Sequence, residues 1–277
     1  MKTAIKITAI VVFTLILYKA SAQQQWVIKS VHLTRPDTVL VFKPADYDAK
    51  KAYPLTYLLH GYSENYSQWA SMVDCQKLAD QYQMIIVMPD GFVSWYVNSP
   101  YQKGSQMEDF FFKELVPKVH AAFKIDSRNI FISGLSMGGY GALRYFIQQQ
   151  DYFNTAGSTS GGLIVDAEIL QQASIHFFNN NRVTNDLTSI LGNPGTNDWH
   201  QYSITNLLKS QKKEIKPFII DCGTEDILYP STLELKMVAD SMKIPITYIK
   251  QPGNHDAAYW KQAILYHFVY FKSKMIN

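Results

Sequence analysis

Several features that would announce a function are scarce in this chain. Only two cysteines occur among 277 residues, Cys75 and Cys222. There is no C-x-x-C pair and no H-E-x-x-H run, so the spacing fits no metal site. Cys75 falls in a helical pattern and Cys222 at a strand end. They read as two buried free thiols, although export would permit a bridge. The formal net charge is only +3, and no stretch combines a Lys/Arg cluster with aromatics, which excludes a nucleic-acid surface. Linkers and internal repeats are missing, so a single domain is expected over 23–277. Nothing implies a cofactor.

The N-terminus is different. Lys2 and Lys6 supply positive charge around an apolar run at 7–18, and Ala20-Ser21-Ala22 then forms an A-x-A site before Gln23. This is the pattern of a secretory signal peptide over 1–22, too short for a transmembrane helix. Its removal takes away Lys2, Lys6 and Lys19 and no acid, leaving a formal charge near zero. Neither cysteine lies at the cleavage site, which disfavours a lipid anchor. Export to a periplasm or to the outside is expected, with no stable membrane association after cleavage.

Behind the leader the chain alternates. Residues 26–33 and 38–43 alternate apolar and polar side chains, as an antiparallel pair at a sheet edge does. Nearly continuous apolar runs at 54–59, 84–88, 130–133, 217–221 and 246–250 read as buried strands, and 155–160 is a small-residue strand by its place in the sequence. Helical patterns lie at 66–82, 107–123, 140–149, 231–242 and 257–271. Such alternation predicts an α/β fold, a mostly parallel sheet with helices on both faces. The stretch 162–213 is rich in Asn, Gln, Ser and Thr and holds no buried strand. It reads as an insertion over the carboxyl edge of the sheet.

The most informative motif is Gly134-Leu135-Ser136-Met137-Gly138. A strand precedes it and a helix follows, which is the setting of a nucleophile elbow in an α/β-hydrolase fold. Ser136 needs a base, and the base needs an acid. In an open α/β sheet both belong in loops at the carboxyl ends of strands. Of seven histidines, only His60 and His255 meet that condition, and only His255 follows Ser136 in the order Ser…Asp/Glu…His. His60 is expected to hold its loop; the other histidines read as structural. The loop after the strand at 217–221 offers Glu225 and Asp226, which spacing alone does not separate; Asp221 belongs to the strand. Backbone donors for a developing oxyanion are expected at Met137 and, after His60-Gly61, at Tyr62.

With these residues placed, the chain resembles the esterase D-like group, which includes feruloyl, acetylxylan and tributyrin esterases, S-formylglutathione hydrolase and mycolyltransferases. The resemblance rests on Tyr53-Pro54-Leu55-Thr56-Tyr57-Leu58-Leu59-His60-Gly61 with Trp69, Val87-Met88-Pro89-Asp90, and Ser94-Trp95-Tyr96. It continues through Gly134-Leu135-Ser136-Met137-Gly138-Gly139-Tyr140-Gly141-Ala142, Cys222-Gly223-Thr224-Glu225-Asp226-Ile227-Leu228-Tyr229, and Gly253-Asn254-His255-Asp256 with Trp260. The resemblance implies Asp226 as the acid and supports Tyr62 as the second donor. It also implies a serine carboxylic-ester hydrolase. Together with export, it points to removal of feruloyl or acetyl groups from plant cell-wall polysaccharide. A broad short-chain acyl esterase, an acyltransferase of the mycolyltransferase type and a silent binding protein are the alternatives. The partner is then an acylated saccharide or small ester, and Trp69, Trp95, Tyr96, Tyr229 and Trp260 are candidate substrate contacts.

Overall fold

The computed structural model describes residues 23–276, so the expected leader at 1–22 lies outside the described residues. Eight strands form one sheet in the order β1-β2-β4-β3-β5-β6-β7-β8. They are β1 (Gln23–Ile28), β2 (Asp37–Phe42), β3 (Tyr53–Leu59), β4 (Ile85–Pro89), β5 (Ile125–Leu135), β6 (Thr155–Thr159), β7 (Phe218–Gly223) and β8 (Ile246–Gln251). β2 runs antiparallel to both β1 and β4, and every other pairing is parallel. With hydrolase-type connectivity around it, this is an α/β-hydrolase fold.

The continuous apolar strands have a simple physical origin: successive side chains point to opposite faces, and both faces are covered. Val39 and Val41 join one core and Leu40 and Phe42 the other. The first core takes in α3 (Met107–Phe110), α4 (Val116–Ala122), α5 (Met137–Gln148) and α9 (Tyr229–Ser241). The second is closed by α1 (Gln68–Met72), α2 (Cys75–Tyr82) and α10 (Ala257–Ser273). Cys75 and Cys222 are buried and free.

Two helices depart from the sequence pattern. The helix expected at 66–82 is interrupted: Val73 is extended, and Asp74 starts α2 by accepting the Lys77 N–H at 2.9 Å. An N-cap aspartate of this kind is favoured over continuing the helix. The helix at 107–123 contains a π-helical turn, Phe111–Leu115, between α3 and α4. Pro117 lies just beyond it and withdraws a donor from the regular ladder. The insertion holds α6 (Ala167–Phe178), α7 (Arg182–Leu191), a 3₁₀ turn (Trp199–Tyr202) and α8 (Ile204–Ser210).

Candidate active site

β5 ends at Leu135 and α5 begins at Met137, leaving Ser136 alone on the turn with φ 53° and ψ −120°. A non-glycine residue at positive φ costs about 1–3 kcal/mol. Packing enforces it. A Cβ on Gly134 would lie 2.2 Å from the Gly138 carbonyl oxygen, and one on Gly138 would lie 2.3 Å from that of Leu59. The turn is fastened by Ser136 N–H to the Thr159 carbonyl (3.0 Å) and by Gly162 N–H to the Ser136 carbonyl (3.2 Å).

The loops after β7 and β8 bring Asp226 and His255 to this serine. His255 Nδ1 lies 2.9 Å from Asp226 Oδ2, and Nε2 lies 3.0 Å from Ser136 Oγ. An ionised carboxylate only accepts, so Nδ1 carries the hydrogen and Nε2 is left to accept from the serine hydroxyl. Asp226 is 4% exposed. Burial pushes its carboxyl up, but the His255 hydrogen bond and charge outweigh this, with help from the Leu228 N–H and the Ser160 hydroxyl. The net effect holds it below the usual value. Glu225 faces elsewhere. Its carboxylate accepts the Gly253 N–H and is lowered by it, so it fastens the acid loop to the histidine loop. The geometry thus separates the two candidates that spacing did not. The imidazole is flanked by Phe177, ring centroids 4.6 Å apart, and by the edge of Trp260 at 5.0 Å.

The Met137 N–H, at the first position of α5, and the Tyr62 N–H both lack a hydrogen-bond partner among the described residues. Helix geometry explains the first: the opening N–H groups of any helix have no partner within it. The second follows from how its loop is held. Gly61 N–H donates to Gln68 Oε1 at 2.8 Å. The His60 ring accepts the Gly91 N–H at Nε2 (2.7 Å) and donates from Nδ1 to the Gly61 carbonyl (2.7 Å). A Cβ on Gly61 would stand 3.5 Å from Ser136 Cβ, so the loop lies against the serine.

A cavity of about 290 Å³ opens beside Ser136 and His255. Trp95 and Trp260 line it. Trp69 does not. It is 1% exposed and its indole N–H donates to the Leu59 carbonyl at 2.9 Å, which makes it a core residue. Tyr96 is also no contact: Trp95 and Tyr96 both have positive φ, and this turn leaves Trp95 on the cavity while Tyr96 is fully buried. Its hydroxyl donates to the His60 carbonyl at 3.0 Å, behind the loop. Tyr229, at the start of α9, bonds the Tyr248 hydroxyl at 3.1 Å and lies off the cavity wall. Sequence reasoning missed Gln68 and the insertion's Leu170, Phe177, Phe178 and Val183, which also line the cavity. The adjacent aromatics 177 and 178 in an otherwise polar stretch were the available signal.

A nucleophile, a base, an oriented acid and two partnerless N–H groups around one cavity can carry out acyl transfer. Comparison with known proteins agrees in kind. A family described as "Putative esterase" matches residues 30–271. An acetyl esterase of Caldicellulosiruptor saccharolyticus is 28% identical over 249 residues, covering 84% of this chain and 91% of that protein. Among solved structures, the fluorophosphonate-binding serine hydrolase F of Staphylococcus aureus superimposes with a TM-score of 0.76 at 24% identity, covering 91% of this chain and 98% of the other. A ferulic acid esterase does so with 0.75 at 22%, covering 91% and 97%. At these identities the structures share the fold.

Proposed function

This chain belongs to that esterase family, matched over residues 30–271, and from this premise we propose that it is an exported serine carboxylic-ester hydrolase acting on acylated plant cell-wall saccharide. The observation that carries the reading is the hydrogen-bonded chain Ser136–His255–Asp226 at the mouth of the 290 Å³ cavity. His255 takes the proton as Ser136 Oγ attacks the acyl carbonyl, and Asp226 stabilises the imidazolium. The charge developing on oxygen is met by the N–H groups of Tyr62 and Met137. Collapse passes the proton from His255 to the departing alkoxide and leaves acyl-Ser136. A water activated by His255 then releases the acid.

Cavity size favours a bulky acyl group. A cavity of about 290 Å³ has room for a group well beyond an acetyl. Its walls include Trp95, Phe177, Phe178 and Trp260, suited to a flat aromatic ring. Feruloyl esters therefore fit better than acetyl esters. The deciding measurement is release from methyl ferulate, acetylated xylan and p-nitrophenyl butyrate by wild type and Ser136→Ala. Ferulate release lost in the variant is the expected result. Turnover of the nitrophenyl ester alone would instead indicate a broad short-chain esterase. Export is checked separately by finding Gln23 at the N-terminus of protein recovered outside the cytoplasm.

A further inference from the structure

The two sides of the oxyanion loop are held by different parts of the molecule. Upstream, Gln68 and His60 fix Gly61 from within the hydrolase core. Downstream, the Tyr62 and Ser63 side chains are held by the insertion. The Tyr62 hydroxyl donates to Asp186 Oδ2 on α7. The Arg182 guanidinium, one turn earlier on α7, lies 5.4 Å from the Tyr62 ring centre and 4.8 Å from that of Phe178. Arg182 Nη2 also donates to Ser63 Oγ at 3.2 Å, and Ser63 has a φ of 68°. Among the described residues the backbone bond across this turn is a long one, Glu64 N–H to the Gly61 carbonyl at 3.3 Å.

α7 itself is well anchored. At its start the Val183 N–H donates to Ser174 Oγ at 3.1 Å, and that hydroxyl donates to the Asn180 carbonyl at 2.6 Å. At its end the Ile190 carbonyl accepts Ser99 Oγ–H at 2.7 Å and the Ser189 carbonyl accepts Gln102 Nε2–H at 2.8 Å. A fixed helix therefore grips a turn that has little backbone bonding of its own.

We propose that Asp186 and Arg182 are positioning residues: they hold Tyr62 so that its backbone N–H stays aimed at the reacting carbonyl oxygen. This rests on the serine-esterase reading above. The grip also links acyl recognition to catalysis, because Phe178 and Val183, which line the acyl cavity, belong to the same α6–α7 turn and helix. Burial and the bond to Asp186 push the Tyr62 hydroxyl up to about 12, so it remains a donor throughout the working pH range.

The test compares Tyr62→Phe, Asp186→Ala, their double variant and Asp186→Asn on p-nitrophenyl butyrate, with a trifluoromethyl ketone as a probe of oxyanion binding. Loss of one oxyanion donor costs on the order of 10²–10³-fold in turnover, and misplacing it should cost about 10- to 100-fold in kcat with KM nearly unchanged. The double variant should be no worse than either single one. Asp186→Asn, which keeps an acceptor oxygen, should recover most of the loss, and ketone affinity should fall in parallel with kcat. Additive effects, a change confined to KM, or wild-type kcat in both single variants would overturn the proposal, making α7 a cavity wall only. Ser136→Ala runs alongside. If it is inactive while the clamp variants are unaffected, positioning fails and the esterase reading stands; if it remains active, the reading fails and takes the proposal with it.

Discussion

Among the described residues there are two Ser–His–Asp chains, and one of them is placed to do chemistry. Three residues upstream of Ser136, within β5, Ser133 Oγ lies 2.6 Å from His267 Nδ1. His267 Nε2 lies 2.6 Å from Asp221 Oδ2, and the Thr159 hydroxyl donates to the other carboxylate oxygen. The residue types match those of the site at Ser136, with the ring nitrogens exchanged: the acid takes Nε2 here and Nδ1 there. The bonds in the interior are the shorter ones. What the interior chain lacks is access, a strained serine and spare donors. Ser133, His267 and Asp221 are at most 1% exposed, and Ser133 sits in regular ladder between Leu58 and Gly157. Hydrogen-bonding a serine to an imidazole and a carboxylate is thus a way to satisfy buried polar groups. At Ser136 a turn lifts the serine out of the ladder and leaves the Met137 N–H unpaired beside it, which is the arrangement acyl transfer requires.

Substitutions at matched positions break or sharpen this comparison. The largest effect is expected at the serines. Ser136→Ala should lower kcat on the order of 10⁶-fold, whereas Ser133→Ala should leave kcat within a factor of a few and lower stability by about 1–3 kcal/mol, the cost of an unsatisfied buried partner. Single-turnover kinetics and urea titration measure the two quantities; equal loss of turnover in both would end the distinction. The acids come next. Asp226→Asn should cost about 10⁴-fold in kcat by leaving the wrong tautomer, and Glu225→Gln far less. Asp221→Asn should instead cost about 1–3 kcal/mol of stability, because the amide cannot accept from both His267 and Thr159.

A last contrast depends on pH and concerns a buried carboxylate that is not paired with an imidazole. Asp37 is fully buried; among the described residues its Oδ2 has no partner and its Oδ1 accepts the Asp90 N–H at 3.3 Å. Burial, and then the charge of Asp90, raise its carboxyl to about 9. Since the folded value exceeds that of the unfolded chain, folding takes up a proton between about pH 4 and 9, and stability falls as pH rises through that window. Asp37→Asn should flatten this fall, with the gain over wild type largest near pH 9. Thermal melts across that range check it; parallel curves for the two proteins would refute it.

The sequence made local and periodic features legible. Ser136 was readable because its motif is contiguous, and His255 because strand order restricts the base to one loop. The strands were readable because two covered faces require unbroken apolar runs. Features that depend on side-chain direction were not. Trp95 and Tyr96 are neighbours in the loop after β4, yet only the backbone turn there decides which ring meets the cavity, and Trp69 is drawn into the core by its bond to the Leu59 carbonyl. Spacing left Glu225 and Asp226 equivalent; in the fold Asp226 meets His255 while Glu225 accepts the Gly253 N–H. The insertion hid its contribution most fully. Phe177 and Phe178 close the cavity from a segment whose composition is polar and whose path no periodicity reveals.

The interior chain also constrains which substitutions this sequence can accept. A Cβ on Gly157 would stand 2.4 Å from His267 Nδ1, because the imidazole occupies the space a side chain on β6 would need. The two positions, 110 residues apart, therefore cannot drift separately. A lineage that gains a side chain at 157 must first give up the ring at 267, and one that keeps the ring must keep the glycine. Covariation between these positions would reveal the buried chain in sequences for which no structure exists.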